Sequence, residues 1–242
     1  MTADSEYIYG RRAVAEAQNG HRGVRRVLTA DAHGTDELFR LAGSPDHQGV
    51  VAEVDPYPYV DPESLLEAPQ ALIVALDQIQ DPQNLGAVCR SAEAAGATGV
   101  VITQRRSASV TAAVCKASAG AVEHLRIAQV PNLADWLATA KETQGLWVYG
   151  ADAAGPAAYT TADLTGSVIL VLGSEGNGIR PRVASACDAL VSIPLRGATA
   201  SLNVSAAAAI LLFEALRQRD SQRPLRTDLR NCNENCTKSD RG

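Results

Sequence analysis

Residues 172–179 read LGSEGNGI, three glycines and one carboxylate directly after the apolar run SVILV. Glycine-rich turns after strands often cradle phosphate, but this spacing fits neither common form. A mononucleotide loop has Lys followed by Ser or Thr after its last glycine; here Gly178 is followed by Ile179 and Arg180. A dinucleotide loop has G-x-G-x-x-G after the first strand of its domain; here the order is G-x-x-G-x-G and the turn comes late. The carboxylate of Glu175 would also repel phosphate. Glycines let the main chain come close to a flat or apolar ligand, and Glu175 suits one that carries positive charge or hydroxyls. Taken alone, the stretch reads better as a tight strand-to-helix turn with an exposed Glu than as a binding loop.

Two further stretches carry residues of the same kind. In DQIQDPQNLGAVCRSAEAAGATGVV, residues 77–101, Asn84 stands where a helix cap is expected and Arg90 follows six residues on. At ~100° per residue that is roughly 600°, so the two side chains leave the helix on different faces. Arg90 is flanked by Ala, Val, Cys, Ser and Ala, in a helix with almost no other charge; Glu93 is the pairing partner a purely structural Arg would use. In IPLRGATASLNVSAAAAILLFEALRQ, residues 193–218, a Gly/Ala/Thr/Ser-rich loop leads to Asn203 at the start of an Ala-rich helix. Asn203 there is also an ordinary N-cap.

The elements that must position these residues are legible as a pattern. RRAVAEAQNG has helical spacing closed by Gly20, VRRVLTA reads as a strand, TDELFRLAG as a helix capped by Thr35 and closed by Gly43, and GVVAEV as a strand. Four prolines between residues 55 and 70 mark a boundary. From residue 71 apolar runs alternate with helical segments: ALIVAL, GVVIT, HLRIAQV, LWVYGAD, SVILVLG and ALVSIPL are strands, and NVSAAAAILLFEALRQR is a long final helix. Such alternation predicts a mostly parallel sheet covered on both faces. The expected division is a small α/β domain over 1–56, a Pro-rich linker over 57–70, a second domain over 71–219 and a disordered polar tail over 220–242.

Composition narrows the class. At 46% hydrophobic and 20% charged, the 242-residue chain reads as a globular protein, and 4% aromatics means a core of Ala, Val, Leu and Ile. No apolar run approaches the ~20 residues that span a bilayer, and MTADSEYIYG lacks the features of an export signal. Cys89, Cys115, Cys187, Cys232 and Cys236 are odd in number and scattered, which implies no disulfide framework and a reducing cytoplasm. Cys232 and Cys236 form a lone C-x3-C pair with no histidine or second pair nearby, so no metal is expected. The net charge of −5 argues weakly against nucleic acid, yet Arg11, Arg12, Arg22, Arg25 and Arg26 crowd residues 10 to 30.

Together, DPQNLGAVCRSAEAAG with Asn84 and Arg90, LVLGSEGNGI with Glu175, and IPLRGATASLNVSAAAAILLFEA with Ser201, Leu202 and Asn203 resemble, in order and spacing, the three motifs of the SpoU or TrmH-type RNA ribose 2′-O-methyltransferases. The N-terminal YIYGRRAVAEA and HQGVVAEV resemble the ends of the substrate-binding domain in the branch that modifies large-subunit (23S) ribosomal RNA; the stretch between them is short for that branch. The resemblance implies an α/β SPOUT fold with a C-terminal trefoil knot, one of the rare exceptions to unthreaded chains. It implies S-adenosylmethionine bound in a bent shape by the second and third motifs: Gly173, Ile193 and Leu202, with Leu172, Glu175, Gly176, Leu195 and Ser201 beside them and Gly150 at another strand end. It implies a homodimer joined through the last helix, and RNA as partner, rRNA ahead of tRNA, with Arg11, Arg12, Arg22, Arg25, Arg26, Arg105 and Arg106 as RNA contacts.

The implied reaction is in-line attack of a ribose 2′ oxygen on the sulfonium methyl group. The family assigns Arg90's counterpart to deprotonation. A guanidinium has a pKa above ~12, so we expect Arg90 instead to stabilise charge growing on the 2′ oxygen, with an RNA phosphate taking the proton and Asn84, Glu175, Ser201 and Asn203 orienting the groups. The alternatives are a tRNA 2′-O-methyltransferase, a catalytically inactive RNA-binding homologue, and a nucleotide-dependent oxidoreductase, the last disfavoured by the missing G-x-G-x-x-G.

Overall fold

The computed structural model describes residues 5–222. The chain begins with β1 (Glu6–Tyr9), α1 (Arg11–Asn19), β2 (Val24–Thr29), α2 (Ala30–His33), α3 (Thr35–Ala42) and β3 (Val50–Val54). The three strands form an antiparallel sheet in the order β1-β3-β2. Strand β1 is too short to announce itself by alternation, and sequence reasoning missed it. Thr35 is not a cap: it is the first helical residue of α3, after Gly34 at φ 83°, and its side chain makes no capping bond.

The rest follows as β4 (Leu72–Asp77), α4 (Pro82–Ala94), β5 (Gly99–Thr103), α5 (Ala112–Ala117), β6 (Ile127–Val130), α6 (Leu133–Gln144), β7 (Trp147–Ala151), β8 (Ala157–Ala158), β9 (Val168–Gly173), α7 (Pro181–Ala186), β10 (Ala189–Ser192) and α8 (Val204–Gln222). Seven strands make one parallel sheet, ordered β6-β5-β4-β9-β7-β10-β8. The two-residue edge strand β8 carried no pattern to find. Helix α8 runs three residues past the expected end of its domain; the expected tail, with Cys232 and Cys236, lies from 223 on outside the described residues.

The central strands are apolar throughout 72–76 and 168–172 because both sheet faces are covered. Leu72, Val74 and Leu76 pack with Leu85 and Val88 of α4, Val114 of α5 and Leu211 and Leu212 of α8. Ile73 and Ala75, one residue out of phase, pack with Leu133 and Leu137 of α6 and Val183 of α7. Full burial of such side chains contributes about 1.5–3 kcal/mol each.

Between the two sheets the proline-rich segment carries one short 3-10 turn, Pro62–Leu65, capped by Asp61, but the segment is not a free linker. Tyr57 is buried, and its hydroxyl lies 2.8 Å from the carbonyl oxygens of both Val122 and Leu125. Tyr59 accepts from the Val110 amide at 2.8 Å, and Val60 bridges to Ala128. The N-terminal Ile8, Ala13, Val14 and Ala17 share one apolar cluster with Val114, Cys115 and Val122. The aromatic and aliphatic residues between the prolines fasten the segment, so the N-terminal unit sits on the sheet domain through a shared core.

Candidate functional site

Parallel strands end on the same edge, and ligands of such sheets sit beyond their carboxyl ends. A cleft of about 540 Å³ opens there over β9, β7 and β10, a size suited to a small ligand. Leu172, Gly173, Glu175 and Gly176 line it from the LGSEGNGI turn; Ile193 and Leu195 line it after β10. Ser201, Leu202 and Asn203 close it at the foot of α8. Gly150 does not line it. A side chain there would meet Leu190 at 2.7 Å and Cys187 and Ile179 at 3.0 Å, so this glycine makes room for packing one residue short of the cleft.

The turn itself explains its glycines. Ser174 and Gly178 exchange main-chain hydrogen bonds of 3.1 and 2.9 Å, folding the chain back on itself. A Cβ on Gly173 would lie 2.0–2.2 Å from main-chain atoms of Gly178 and Ile179, which no rotamer relieves. The close approach is thus between two parts of the same turn, and it leaves Glu175 exposed at the cleft mouth.

Three distant pieces of chain meet at that carboxylate. Asn84 Nδ2 donates to Glu175 Oε1 at 2.8 Å, and Asn203 Nδ2 donates to the same oxygen at 2.6 Å. Asn203 Nδ2 also donates to Asn84 Oδ1 at 2.9 Å. The Asn203 amide has only one consistent orientation, because its Oδ1 accepts from the Ser205 amide at 2.8 Å and from its hydroxyl at 2.5 Å. Asn203 therefore caps α8 with its oxygen and holds Glu175 with its nitrogen. Asn84 is not the cap of α4. Asp81 caps it, accepting from Gln83 N at 2.9 Å, with Pro82 in the first turn. That places Asn84 inside the helix, buried, with its amide free for the cluster. Glu175 Oε2 accepts nothing among the described residues.

Arg90 stands apart from this cluster. It lies on α4 about 9 Å further along the axis, is exposed, and does not line the cleft. Among the described residues its side chain makes no hydrogen bond or ion pair, with Glu93 or any other group. Ser201 lines the cleft from an exposed loop. Ala151, Asp152, Val191 and Ala207 also line it and were missed. Asp152 follows directly on a strand end and could have been found by that rule; Val191 and Ala207 depend on register and carry no signal of their own.

The arginines divide by burial. Arg22 cannot touch RNA. Its side chain is 1% exposed, lies 3.5 Å from Glu6 and 3.4 Å from Glu123, and stacks on Tyr57 at 5.0 Å. Burial pushes the Glu123 carboxyl up, against the pull of Arg22. The sequence showed five arginines together, but Gly20, two residues before Arg22, lies so close to Glu123 that a Cβ there would meet it at 2.6 Å, and the His21 amide donates to the Glu123 carbonyl at 3.0 Å, which brings Arg22 to the buried Glu123. Arg25 pairs with Asp55 and Arg26 with Glu53, both part-exposed. Arg11 donates to the Gln48 carbonyl at 3.2 Å, while Arg12, Arg105 and Arg106 lie exposed. Arg105 and Arg106 follow β5 on the same sheet edge as the cleft. Among the described residues no His/Cys/Asp/Glu group has the makings of a metal site, and no helix is long and apolar enough to cross a membrane.

Residues 71–213 match the profile of the SpoU rRNA Methylase family. An uncharacterized tRNA/rRNA methyltransferase of Synechocystis is 41% identical over 90% of this chain, which spans 64% of that relative's length. The Bacillus subtilis protein YacO, named as a TrmH family tRNA/rRNA methyltransferase, is 36% identical over 91% of this chain and 98% of its own. The SpoU methyltransferase AviRb from Streptomyces viridochromogenes, solved with the cofactor AdoMet, is 27% identical with a TM-score of 0.75, covering 90% of this chain and 92% of that one. A crystal structure of an RNA 2′-O ribose methyltransferase is 26% identical with a TM-score of 0.73, covering 90% of each chain.

Proposed function

We propose, from the premise that this chain belongs to the SpoU rRNA Methylase family, that it transfers a methyl group from S-adenosylmethionine to a ribose 2′ hydroxyl of RNA, with large-subunit ribosomal RNA as substrate. The observation that carries the reading is the meeting of Asn84, Glu175 and Asn203 at the mouth of a cleft of small-ligand size. The residues fit the donor. Leu172, Ile193, Leu195 and Leu202 offer apolar surface for an adenine ring, and Glu175 and Asp152 are carboxylates facing a ligand that bears positive charge. Bound there, the donor supplies an electrophilic methyl group on a cationic sulfur.

The chain's own residues supply the rest. The Asn84–Glu175–Asn203 cluster fixes one carboxylate oxygen and leaves Oε2 to accept from a ribose hydroxyl. Ser201 adds a hydroxyl from the loop that leads into α8. Arg90, exposed, outside the cleft of its own chain and without a side-chain partner among the described residues, meets the ribose from outside the cleft: once RNA is seated it stabilises charge growing on the 2′ oxygen, and an RNA phosphate takes the proton. Holding the reactants in line contributes most of the acceleration. Arg12, Arg105 and Arg106 lead the RNA contacts. The Asn203–Glu175 bond, which ties the start of α8 to the turn after β9, supports the knotted path that the resemblance implies. Phe213, 48% exposed on α8, supports a homodimer joined through that helix.

The test incubates the protein and labelled donor with unmodified rRNA and tRNA separately, then maps the alkali-resistant linkage. Label in rRNA at a single such linkage is the expected result. Label confined to tRNA, or on a base, would overturn the corresponding part of the reading.

A further inference from the structure

Glu175 stands on a turn with Gly176 at φ 80° and Gly178 at φ 63°. Glycines at such angles allow the fold-back but do not hold a side chain in one direction. The start of the turn is fixed by Gly173 pressed against Gly178 and Ile179. Its exit is fixed from the other side of the sheet. Asp77, the last residue of β4, pairs in register with Gly173 and is 1% exposed. A buried carboxylate is costly unless its oxygens are answered. Here one residue answers both. The Arg180 amide donates to Oδ2 at 2.9 Å, and Arg180 Nε and Nη2 meet Oδ1 at 2.8 and 2.7 Å. Asp77 accepts no other hydrogen bond among the described residues.

The main-chain bond fixes the height of residue 180, and the charged fork fixes its direction. Asp77 thus sits at the neck of the turn, beside residue 173 at one end and holding residue 180 at the other. Only four residues separate Arg180 from Glu175. Arg182, two residues further, pairs instead with the exposed Asp135 of α6.

We propose that the Asp77–Arg180 pair is a positioning device for Glu175: it closes the neck of the 173–179 turn from the sheet's opposite face and so holds the Glu175 carboxylate against Asn84 and Asn203. This rests on the function proposed above for its kinetic consequence, though not for its structural one. Neither residue touches substrate. Loss of the pair leaves RNA docking alone and loosens the carboxylate, and a misplacement of about 1 Å at a reacting centre costs on the order of a hundredfold in rate.

The test compares Arg180→Gln, Arg180→Lys and, as a surface control, Arg182→Gln. Turnover, KM for RNA, thermal unfolding and the ¹⁵N side-chain amide resonances of Asn84 and Asn203 are measured for each. Arg180→Gln is expected to lose about tenfold to a hundredfold in kcat, with KM for RNA within about twofold, and to shift both amide resonances. Arg180→Lys keeps the charge without the fork and is expected to recover part of kcat. Should Arg180→Gln not fold, Arg180→Lys decides alone, by a lowered kcat and the same amide shifts. Arg182→Gln is expected to change none of these. A lowered unfolding temperature with kcat and amide resonances unchanged overturns the proposal, since that is a purely structural pair. If the wild-type protein methylates no RNA, the proposed function fails while the amide resonances still decide the positioning role.

Discussion

Replacing Asn84 by Asp exchanges one NH₂ group for an oxygen and changes almost nothing else in volume. The hydrogen bond to Glu175 at 2.8 Å then becomes a contact between two carboxylates. At that separation the repulsion is ~6 kcal/mol for an effective dielectric constant of 20 and ~1.5 kcal/mol in bulk water. Residue 84 is buried and Glu175 exposed, so the pair falls between these limits, at about 2–4 kcal/mol. The pair escapes by keeping one proton, with an apparent pKa about 1.5–3 units above the ordinary ~4. The sign follows from linkage. A folded-state pKa raised above the unfolded one means full stability below about pH 4 and a growing deficit as pH rises through the raised value, near 5.5 to 7. For a chain of this size about 1 kcal/mol shifts Tm by roughly 2–4 °C. Asn84→Asp should therefore unfold roughly 4–16 °C below wild type at pH 8 and close to it at pH 4. Asn84→Ala, which removes bonds without adding charge, should carry a deficit of about 1–3 kcal/mol at both pH values. Thermal unfolding of the three proteins by circular dichroism measures this, and methyl transfer at pH 6 and 8 should follow the same order. If Asn84→Asp is as stable as wild type at pH 8, or equally weakened at both pH values, Asn84 and Glu175 do not touch in solution and the cluster is not the site.

Four other outcomes are expected. Gly173→Ala puts a Cβ 2.0 Å from the Gly178 carbonyl carbon; overpacking costs about 1–3 kcal/mol, and calorimetry should show donor affinity lower by about tenfold or more. Arg22→Ala strands the buried Glu123, which costs about 3–5 kcal/mol; Tm should fall, less so as the pH is lowered and Glu123 gains its proton, while the salt dependence of RNA binding stays unchanged. Arg12→Ala should do the reverse, sparing Tm and lowering the salt slope of RNA binding by about one. Phe213→Lys, on the exposed face of α8, should turn a dimer into a monomer in sedimentation velocity; an unchanged sedimentation coefficient would remove α8 from the interface.

The sequence by itself determined the period of the chain and the chemistry that its LGSEGNGI turn could not do. The apolar run at 72–76 reads as a strand covered on both faces because every position is apolar, and the structure buries every one of them. The spacing of LGSEGNGI excluded both phosphate cradles without any coordinates, because those loops need particular residues at particular offsets. Asn84, Glu175 and Asn203 were legible as a set only through the resemblance; nothing in their separate neighbourhoods distinguishes them from a cap, a turn and another cap. What the tertiary structure decided is direction. Asn84 enters the cluster because Asp81 takes the capping role three residues earlier. Arg22 and Arg25 look alike in the chain, yet one lies at 1% exposure against Glu123 and the other reaches Asp55 at the surface. Asp77 and Arg180 lie 103 residues apart and become one ion pair only through the register of β4 against β9. Periodicity is a property of neighbours along the chain, and the strands and helices followed from it. Partnership depends on which side chains face each other after the sheet is ordered, and strand order is set by packing across the whole domain.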